Sequence, residues 1–255
     1  MLKHKNSINF CGVSSESIPG LIINELPPIQ MSPKRINQIQ IEGRDGDIIE
    51  ELGYMSYDKP VQMSLSGDYD IDKVFSWLNN SGDIIFSNEP DKVYRAAVYD
   101  TVAFERLVRF RKASLKFHVQ PFKTLLNDVL RFNVTDEILN VKNHGNIYSR
   151  PIVEAQISSQ PGILELNVNN DYIRIRYGKT EADMLYTVTY NLENGGVSLI
   201  DPEGAEVEIM AVQYSNPEGA PRLKPGDNKV GLTRYGGIGL GSQAKLTIKN
   251  ASRWL

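Results

Sequence analysis

Apolar and polar positions alternate with a period of two along most of the chain, in short runs cut by Pro, Gly, Asn and Asp. This is the pattern of half-buried β-strands joined by tight turns. "GLIINELPP" reads as a strand that stops at Pro27 and Pro28, which lack the N–H donors a ladder needs. "RINQIQIEGRDGDIIEEL" places Ile39 and Ile41 in alternation, turns at Arg44, Asp45 and Gly46, and resumes at Ile48 and Ile49, which predicts a hairpin. In "VQMSLSG" Val61, Met63 and Leu65 alternate with Gln62, Ser64 and Ser66. The period changes once. Ile71, Val74, Phe75 and Leu78 fall at i, i+3, i+4 and i+7, an apolar stripe that predicts a helix with Asp70 as N-cap and an end in Asn79–Gly82.

After the helix, "GDIIFSNEPDKVYRAAV" joins two apolar runs through a segment of turn composition at Ser87 to Lys92. A second hairpin is predicted in residues 99–120. Its closing strand alternates Ala113, Leu115, Phe117 and Val119 with Ser114, Lys116, His118 and Gln120, which puts His118 on the wet face. Arg106, Arg109, Arg111 and Lys112 make a basic run without the interleaved aromatics that RNA stacking needs, so a solvated face or a subunit contact is the better reading.

From about Thr135 onward the helical signal is gone. "PIVEAQIS", "GILELNVN", "DYIRIRYG", "LYTVTYNL", "GGVSLID", "EVEIMAVQYS", "DNKVGLTRYGG" and "SQAKLTIKNASRWL" follow one another as strands, with turns at Asn-Gly-Gly, Asp-Pro-Glu-Gly and Pro-Gly-Asp-Asn. That spacing predicts an antiparallel sandwich or jelly roll. The boundary falls between about Asn127 and Thr135, and the chain reads as two domains, 1–133 and 134–255. Tyr172, Arg174 and Arg176 share one side of a strand, and Tyr186, Val188 and Tyr190 share one side of another. Aromatic platforms beside hydrogen-bonding side chains suit a saccharide, but one of these sets has to be core.

Composition adds mainly exclusions. The 255 residues carry a formal net charge of −3, so no global footprint for nucleic acid or an anionic membrane is expected. His4, His118 and His144 lie far apart without metal-ligand spacing, so no metal site is predicted, and no cofactor. The lone Cys11 excludes an intramolecular disulfide and reads as a free thiol. Asp201 and Glu203 fall in turns and make no glycosidase pair. "GGIGLG" at 236–241 lies between strands without a following helix, so it reads as a bend and not a phosphate loop. The amino terminus has no apolar signal core and no run spans a bilayer, so folding in a cytoplasm without membrane insertion is expected.

Five segments taken together resemble the distal tail protein (Dit) family of long-tailed phages that infect Gram-positive hosts, and of their prophages. They are "IEGRDG", "IDKVFSWLNNSGDIIFS", "FSNEPDKVYRAAV", "ASLKFHVQPF" and the terminal "LTIKNASRWL". The resemblance implies a mainly β protein: an N-terminal β-sandwich with one α-helix and a projecting hairpin, then a C-terminal galectin-like or carbohydrate-binding-module-like jelly-roll sandwich. It implies a virion structural protein and not an enzyme, a hub at the tail tip assembled in the host cytoplasm, with six copies closing into a ring, single or as two stacked rings. Implied partners are the major tail (tube) protein, the tail-associated lysin or tail fibre protein, the tape measure protein and receptor-binding or baseplate proteins; DNA would pass the lumen without specific binding. Within that frame Arg44, Asp45, Gly46, Arg106, Arg109 and Arg111 are the expected ring-interface residues, and Tyr172, Arg174 and Arg176 the expected ligand face. The alternative is a carbohydrate-binding module that grips host cell-wall polysaccharide.

Overall fold

The computed structural model describes residues 6–106, 111–133, 138–158, 162–178, 184–216, 219–235 and 244–255. The chain is mainly β and forms two compact units, Met1–Leu126 with Leu255, and Asn127–Trp254.

Unit 1 contains β1 (Ile8–Phe10), β2 (Val13–Ser14), β3 (Leu21–Glu25), β4 (Lys34–Gln40), β5 (Asp47–Tyr54), β6 (Tyr57–Leu65), α1 (Ile71–Leu78), β7 (Ser81–Phe86), β8 (Lys92–Ala97), β9 (Glu105–Arg106) and β10 (Arg111–Leu125). Its main sheet runs β2-β1-β7-β8-β10-β6-β3. The long β10 holds the sheet together: residues 111–119 pair with β6, and residues 118–125 pair with β8 across a register shift between Val119 and Lys123. Such a bulge bends the strand and strengthens its twist. Both halves of the sheet contribute to one core, in which Phe10, Phe86 and Phe117 meet edge to face with ring centroids 5.3 and 6.1 Å apart.

The helix starts where expected, with Asp70 Oδ1 accepting from the backbone N–H of Asp72 and Lys73 at 3.0 and 3.3 Å. Its buried stripe is Val74, Trp77 and Leu78, while Phe75 is exposed and lies against Phe104. Trp77 takes the core position because its indole N–H reaches the Phe10 carbonyl at 3.3 Å and its ring packs edge-on against Phe10. The β4–β5 hairpin is a separate two-stranded sheet, the arm. Its turn is wider than Asp45-Gly46 suggests. Residues Ile41–Gly46 form the loop, with Arg44 N–H donating to the Ile41 carbonyl and both Gly43 and Gly46 at positive φ.

Unit 2 is a sandwich of two five-stranded antiparallel sheets. Its strands are β11 (Val129–Asn133), β12 (Leu139–Asn143), β13 (Ile152–Ser158), β14 (Gly162–Val168), β15 (Asp171–Tyr177), β16 (Leu185–Asn191), β17 (Gly196–Ile200), β18 (Ile209–Tyr214), β19 (Gly226–Tyr235) and β20 (Lys245–Lys249). One sheet is ordered β11-β20-β13-β16-β17 and the other β12-β19-β14-β15-β18. The compact units divide at Leu126/Asn127, at the early end of the boundary span read from the sequence. Val129–Asn133, which the sequence reading assigns to the first domain, pairs with β20 and so edges the second. The core alternates as expected, with Leu164, Leu166 and Val168 of β14 facing Ile173, Ile175 and Tyr177 of β15 and the β16 set Tyr186, Val188 and Tyr190. The 236–241 glycine run lies outside the described residues. Among the described residues no helix is long and apolar enough to cross a membrane.

Candidate assembly surfaces

The arm is the most exposed regular structure in unit 1. Every residue of β4 is exposed, and every residue of β5 except Tyr54. Opposite residues of an antiparallel pair share a face, so Ile39 and Ile48 lie on one side of the arm. Ile36 and Ile49 lie on the other. Ile49 is 60% exposed, and Ile36, Ile39, Ile41, Ile48 and Leu52 are exposed with it. Among the described residues β4 and β5 pair with each other alone, so both outer edges of this two-stranded sheet leave backbone N–H and C=O groups without a strand partner. Within the arm, Lys34 meets Glu51 at 2.5 Å, and Asn37 donates to Glu50 at 3.2 Å. At the tip Glu42, Arg44 and Asp45 point into solvent.

The root of the arm is fastened to unit 1 by side-chain donors. Asn88 donates to the Pro27 carbonyl at 2.9 Å, Lys59 Nζ to the Pro28 carbonyl at 3.1 Å, and Ser32 to the Pro121 carbonyl. Met55 N–H closes the far side on the Pro33 carbonyl at 2.9 Å, and Tyr54 packs edge-on against Phe122. Lys59 is buried, its ammonium 4.7 Å from the Tyr94 ring centroid and 5.6 Å from that of Phe86. Burial pulls its pKa down to about 8; the Glu89 carboxylate opposes that shift and the Lys123 charge adds to it. Glu89 accepts from Lys123 Nζ at 2.6 Å and from the Tyr94 hydroxyl. Tyr57, at the edge of the cluster, is pushed up to about 12, first by burial and then by Glu89. The acidic segment between the two apolar runs after α1 is therefore a turn whose Glu89 folds inward as the counter-charge for two lysines.

The 99–120 hairpin is present as a short ladder, with Arg106 opposite Arg111 and Glu105 opposite Lys112. Arg109 lies outside the described residues. Arg111 Nε donates to the Tyr69 hydroxyl at 2.7 Å. Among the described residues neither Arg106 nor Arg111 has a carboxylate partner, although like charges directly opposite repel. His118 sits on the polar face, 3.0 Å from Asp58 across the ladder. That hydrogen bond, with Lys116 nearby, holds the Asp58 carboxyl below its ordinary value.

In unit 2 the two tyrosine sets separate. Tyr186, Val188 and Tyr190 are core. Tyr172, Arg174 and Arg176 stand on the outer face of β15, where Arg174 is already engaged. Its Nε and Nη2 donate to Glu165 Oε2 at 2.8 and 2.6 Å, and its guanidinium lies between the Tyr172 and Tyr235 rings at 4.8 and 5.3 Å. Tyr235 donates to Glu165 Oε1 at 3.1 Å. Arg176 is exposed beside them and has no ion-pair partner among the described residues.

Groups with chemical potential elsewhere are spoken for. Asp201 Oδ1 accepts from the N–H of Glu203 and of Ala205 at 2.9 and 2.8 Å, which is turn geometry. Cys11 is exposed in the β1–β2 turn, and burial followed by Asp83 raises its thiol pKa, the opposite of activation. Among the described residues no cluster of three or more His, Cys, Asp or Glu could hold a metal ion.

Residues 15–119 match the family model of the phage tail protein RIFT-related domain. Across 99% of this chain and all of the other, the fold superposes on the Dit protein of phage SPP1, described as a paradigm of the hub adsorption apparatus in phages that infect Gram-positive bacteria (18% identity, TM-score 0.63). Chains of the phage p2 baseplate in its activated conformation are similar too, with strontium (8% identity, TM-score 0.53) and with calcium (10% identity, TM-score 0.51), each over 96% of this chain and 97% of the other. No curated protein sequence matches the chain.

Proposed function

We propose, from a chain that carries a phage tail protein RIFT-related domain and has the fold of a Dit hub protein, that it serves as a siphophage distal tail protein: a non-enzymatic hub whose unit 1 closes into a six-membered ring. The observation that carries the reading is the arm, which exposes isoleucines on both faces and unpaired backbone on both edges. A lone copy gains nothing from such an element, whereas a neighbouring copy can cover it. Ring closure needs a heterologous contact, two different patches of one copy meeting each other in sequence. The arm tip carries Glu42 and Asp45 around a single Arg44, a net negative charge that suits the Arg106/Arg111 pair as the opposing patch.

In this reading the ring joins the tail tube protein to the lysin or fibre protein, its lumen passes the tape measure protein and then DNA, and the 127–254 sandwich faces outward as a platform for receptor-binding or baseplate proteins. The engagement of Arg174 with Glu165 argues against a saccharide as that platform's ligand, because the best donor on the face is already neutralised. Light scattering with negative-stain imaging tests the ring: particles of six copies, or of two stacked sixes, support it, and a monomer at micromolar concentration sinks it. Ile39→Ser with Ile48→Ser should leave thermal stability within about 0.5 kcal/mol, the usual range for exposed positions, while abolishing the ring. Asp45→Arg should weaken assembly and Arg106→Glu should restore it in the double variant.

A further inference from the structure

The two sheets of unit 2 have four edge strands, and three of them are guarded. β11 carries Arg131 and β12 carries Lys142, both exposed on the edge. β17 is overlaid by the following segment, with Val207 N–H donating to the Leu199 carbonyl at 2.8 Å and Glu206 bridged to Ile200. Among the described residues, β18 has no such protection. Its sequence, IMAVQY, holds no charge and no proline, and Met210, Ala211, Val212, Gln213 and Tyr214 are all exposed. Five consecutive exposed residues are unusual in a sandwich strand, and an uncharged exposed edge is a template for another strand.

The register says which groups are free. Ser215 N–H donates inward to the Tyr172 carbonyl at 3.0 Å, so by alternation Gln213 and Ala211 also bond toward β15, and the N–H and C=O of Val212 and Tyr214 point outward. The Val212 and Tyr214 side chains stand opposite Ile175 and Ile173 on the core side of the sheet, with Met210 64% exposed at the β-bulge beside them. On the other face, small Ala211 lies next to Arg176, which has no ion-pair partner among the described residues.

We propose that β18 is a docking edge which takes an extended segment of a partner protein by antiparallel strand addition. The segment has apolar residues at alternate positions against Met210, Val212 and Tyr214, and a carboxylate opposite Ala211 that reaches Arg176. That carboxylate would lie two strands, about 10 Å, from the Arg176 backbone, within the span of an arginine across an alanine. The same charge decides the occupant. A second copy of β18 would bring no carboxylate to Arg176, whereas an acidic-apolar segment of another protein does. This surface goes beyond the ring reading and stands or falls without it.

The test uses the full chain and a synthetic eight-residue peptide of alternating valine and glutamate, followed by amide hydrogen exchange. The expected result is that the peptide removes the fast exchange of the Val212 and Tyr214 amides and leaves the already bonded Ala211 and Gln213 amides unchanged. A peptide N-methylated along its pairing edge should not bind, while one methylated along the opposite edge should. Val212→Pro removes an outward donor that the β15 ladder does not use, and should abolish binding in a folded protein. Replacing glutamate by lysine in the peptide, or Arg176→Glu in the protein, should weaken binding about fivefold, the scale of one exposed ion pair. Absence of protection at Val212 and Tyr214, or protection by both methylated peptides, overturns the proposal. Protection that rises with protein concentration without peptide and vanishes in Val212→Pro overturns it in favour of pairing between two copies.

Discussion

Glu89→Gln is the substitution that most directly tests the buried cluster under the arm. The Glu89 and Lys123 side chains are 11% and 8% exposed and meet at 2.6 Å, so solvent screens this pair little. The amide keeps the shape and can still meet the Tyr94 hydroxyl, but it leaves the Lys123 and Lys59 ammoniums inside unit 1 without an anion. Removing one member of a buried pair costs about 3–5 kcal/mol, because the other charge remains desolvated. At a denaturant slope of about 2 kcal/mol/M, that lowers the urea midpoint of unit 1 by about 2 M. Trp77 is buried in unit 1, so its fluorescence in a Trp254→Phe background follows this transition. Asp91→Asn is the matched control two residues away: the Asp91 side chain is 60% exposed beside Lys92, and an exposed pair is worth at most about 1 kcal/mol. A Glu89→Gln midpoint no lower than that of Asp91→Asn would refute the claim that Glu89 balances the buried charge.

Lys59 gives a pH signature of unusual sign. Its folded pKa of about 8 lies below the unfolded value, so below pH 8 the native state bears the full cost of a buried ammonium, and stability rises as pH climbs from about 8 toward 10. Above pH 10 the raised pKa values of Tyr57 and Tyr94 act the other way, since the unfolded tyrosines ionise first; urea midpoints across pH 7–10 should rise in the wild type and stay flat in Lys59→Met. Gly20→Ala should cost more than about 1 kcal/mol by thermal melt, since φ is +72° and a Cβ would meet the Ser66 carbonyl oxygen at 2.6 Å and Tyr69 Cβ at 2.7 Å. Asp201→Ala removes the acceptor for two N–H groups in a turn and should lower unit 2 stability by about 1 kcal/mol without altering assembly.

Period-two alternation is enough to find most strands from Leu21 onward, because the main sheet of unit 1 and both sheets of unit 2 have one dry face, and it also holds a clue to the buried lysine. Tyr57, Lys59, Val61, Met63 and Leu65 share the core-facing parity of β6, so the alternation alone places a cation inside. Its partners were not legible. Lys123 follows the register shift that resets the parity of β10, and Glu89 sits in a segment whose composition reads as a solvent turn. Pairing them requires knowing that β8 lies beside β10, which is long-range topology that no local pattern encodes. Phe75 and Trp77 illustrate a second limit. The periodicity puts Phe75 in the apolar stripe of α1 while the buried stripe takes Trp77, and the choice between them rests on the Phe10 carbonyl and ring, contributed from β1. The early strands β11 and β12 were missed because their short runs, VLRFN and LNVKN, mix charge with apolar residues, as edge strands do.

The buried charges and the exposed arm belong to one arrangement. Every residue of β4 and of β5 except Tyr54 is exposed, so the direction of the arm is set where it leaves unit 1. There the chain runs through Pro27, Pro28 and Pro33, residues that give up no N–H, so it must be held by its carbonyls. Asn88 and Lys59 supply the donors for Pro27 and Pro28, and Met55 N–H supplies that for Pro33. A lysine is suited to this task because its long stem crosses the aromatic layer of Phe86 and Tyr94 and delivers a donor to a carbonyl at its far side. An apolar residue at position 59 would spare the desolvation of an ammonium, but it would leave the Pro28 carbonyl without this donor and the arm with one fewer fixed point. The cost of burying charge in unit 1 is thus tied to an element whose residues unit 1 leaves exposed.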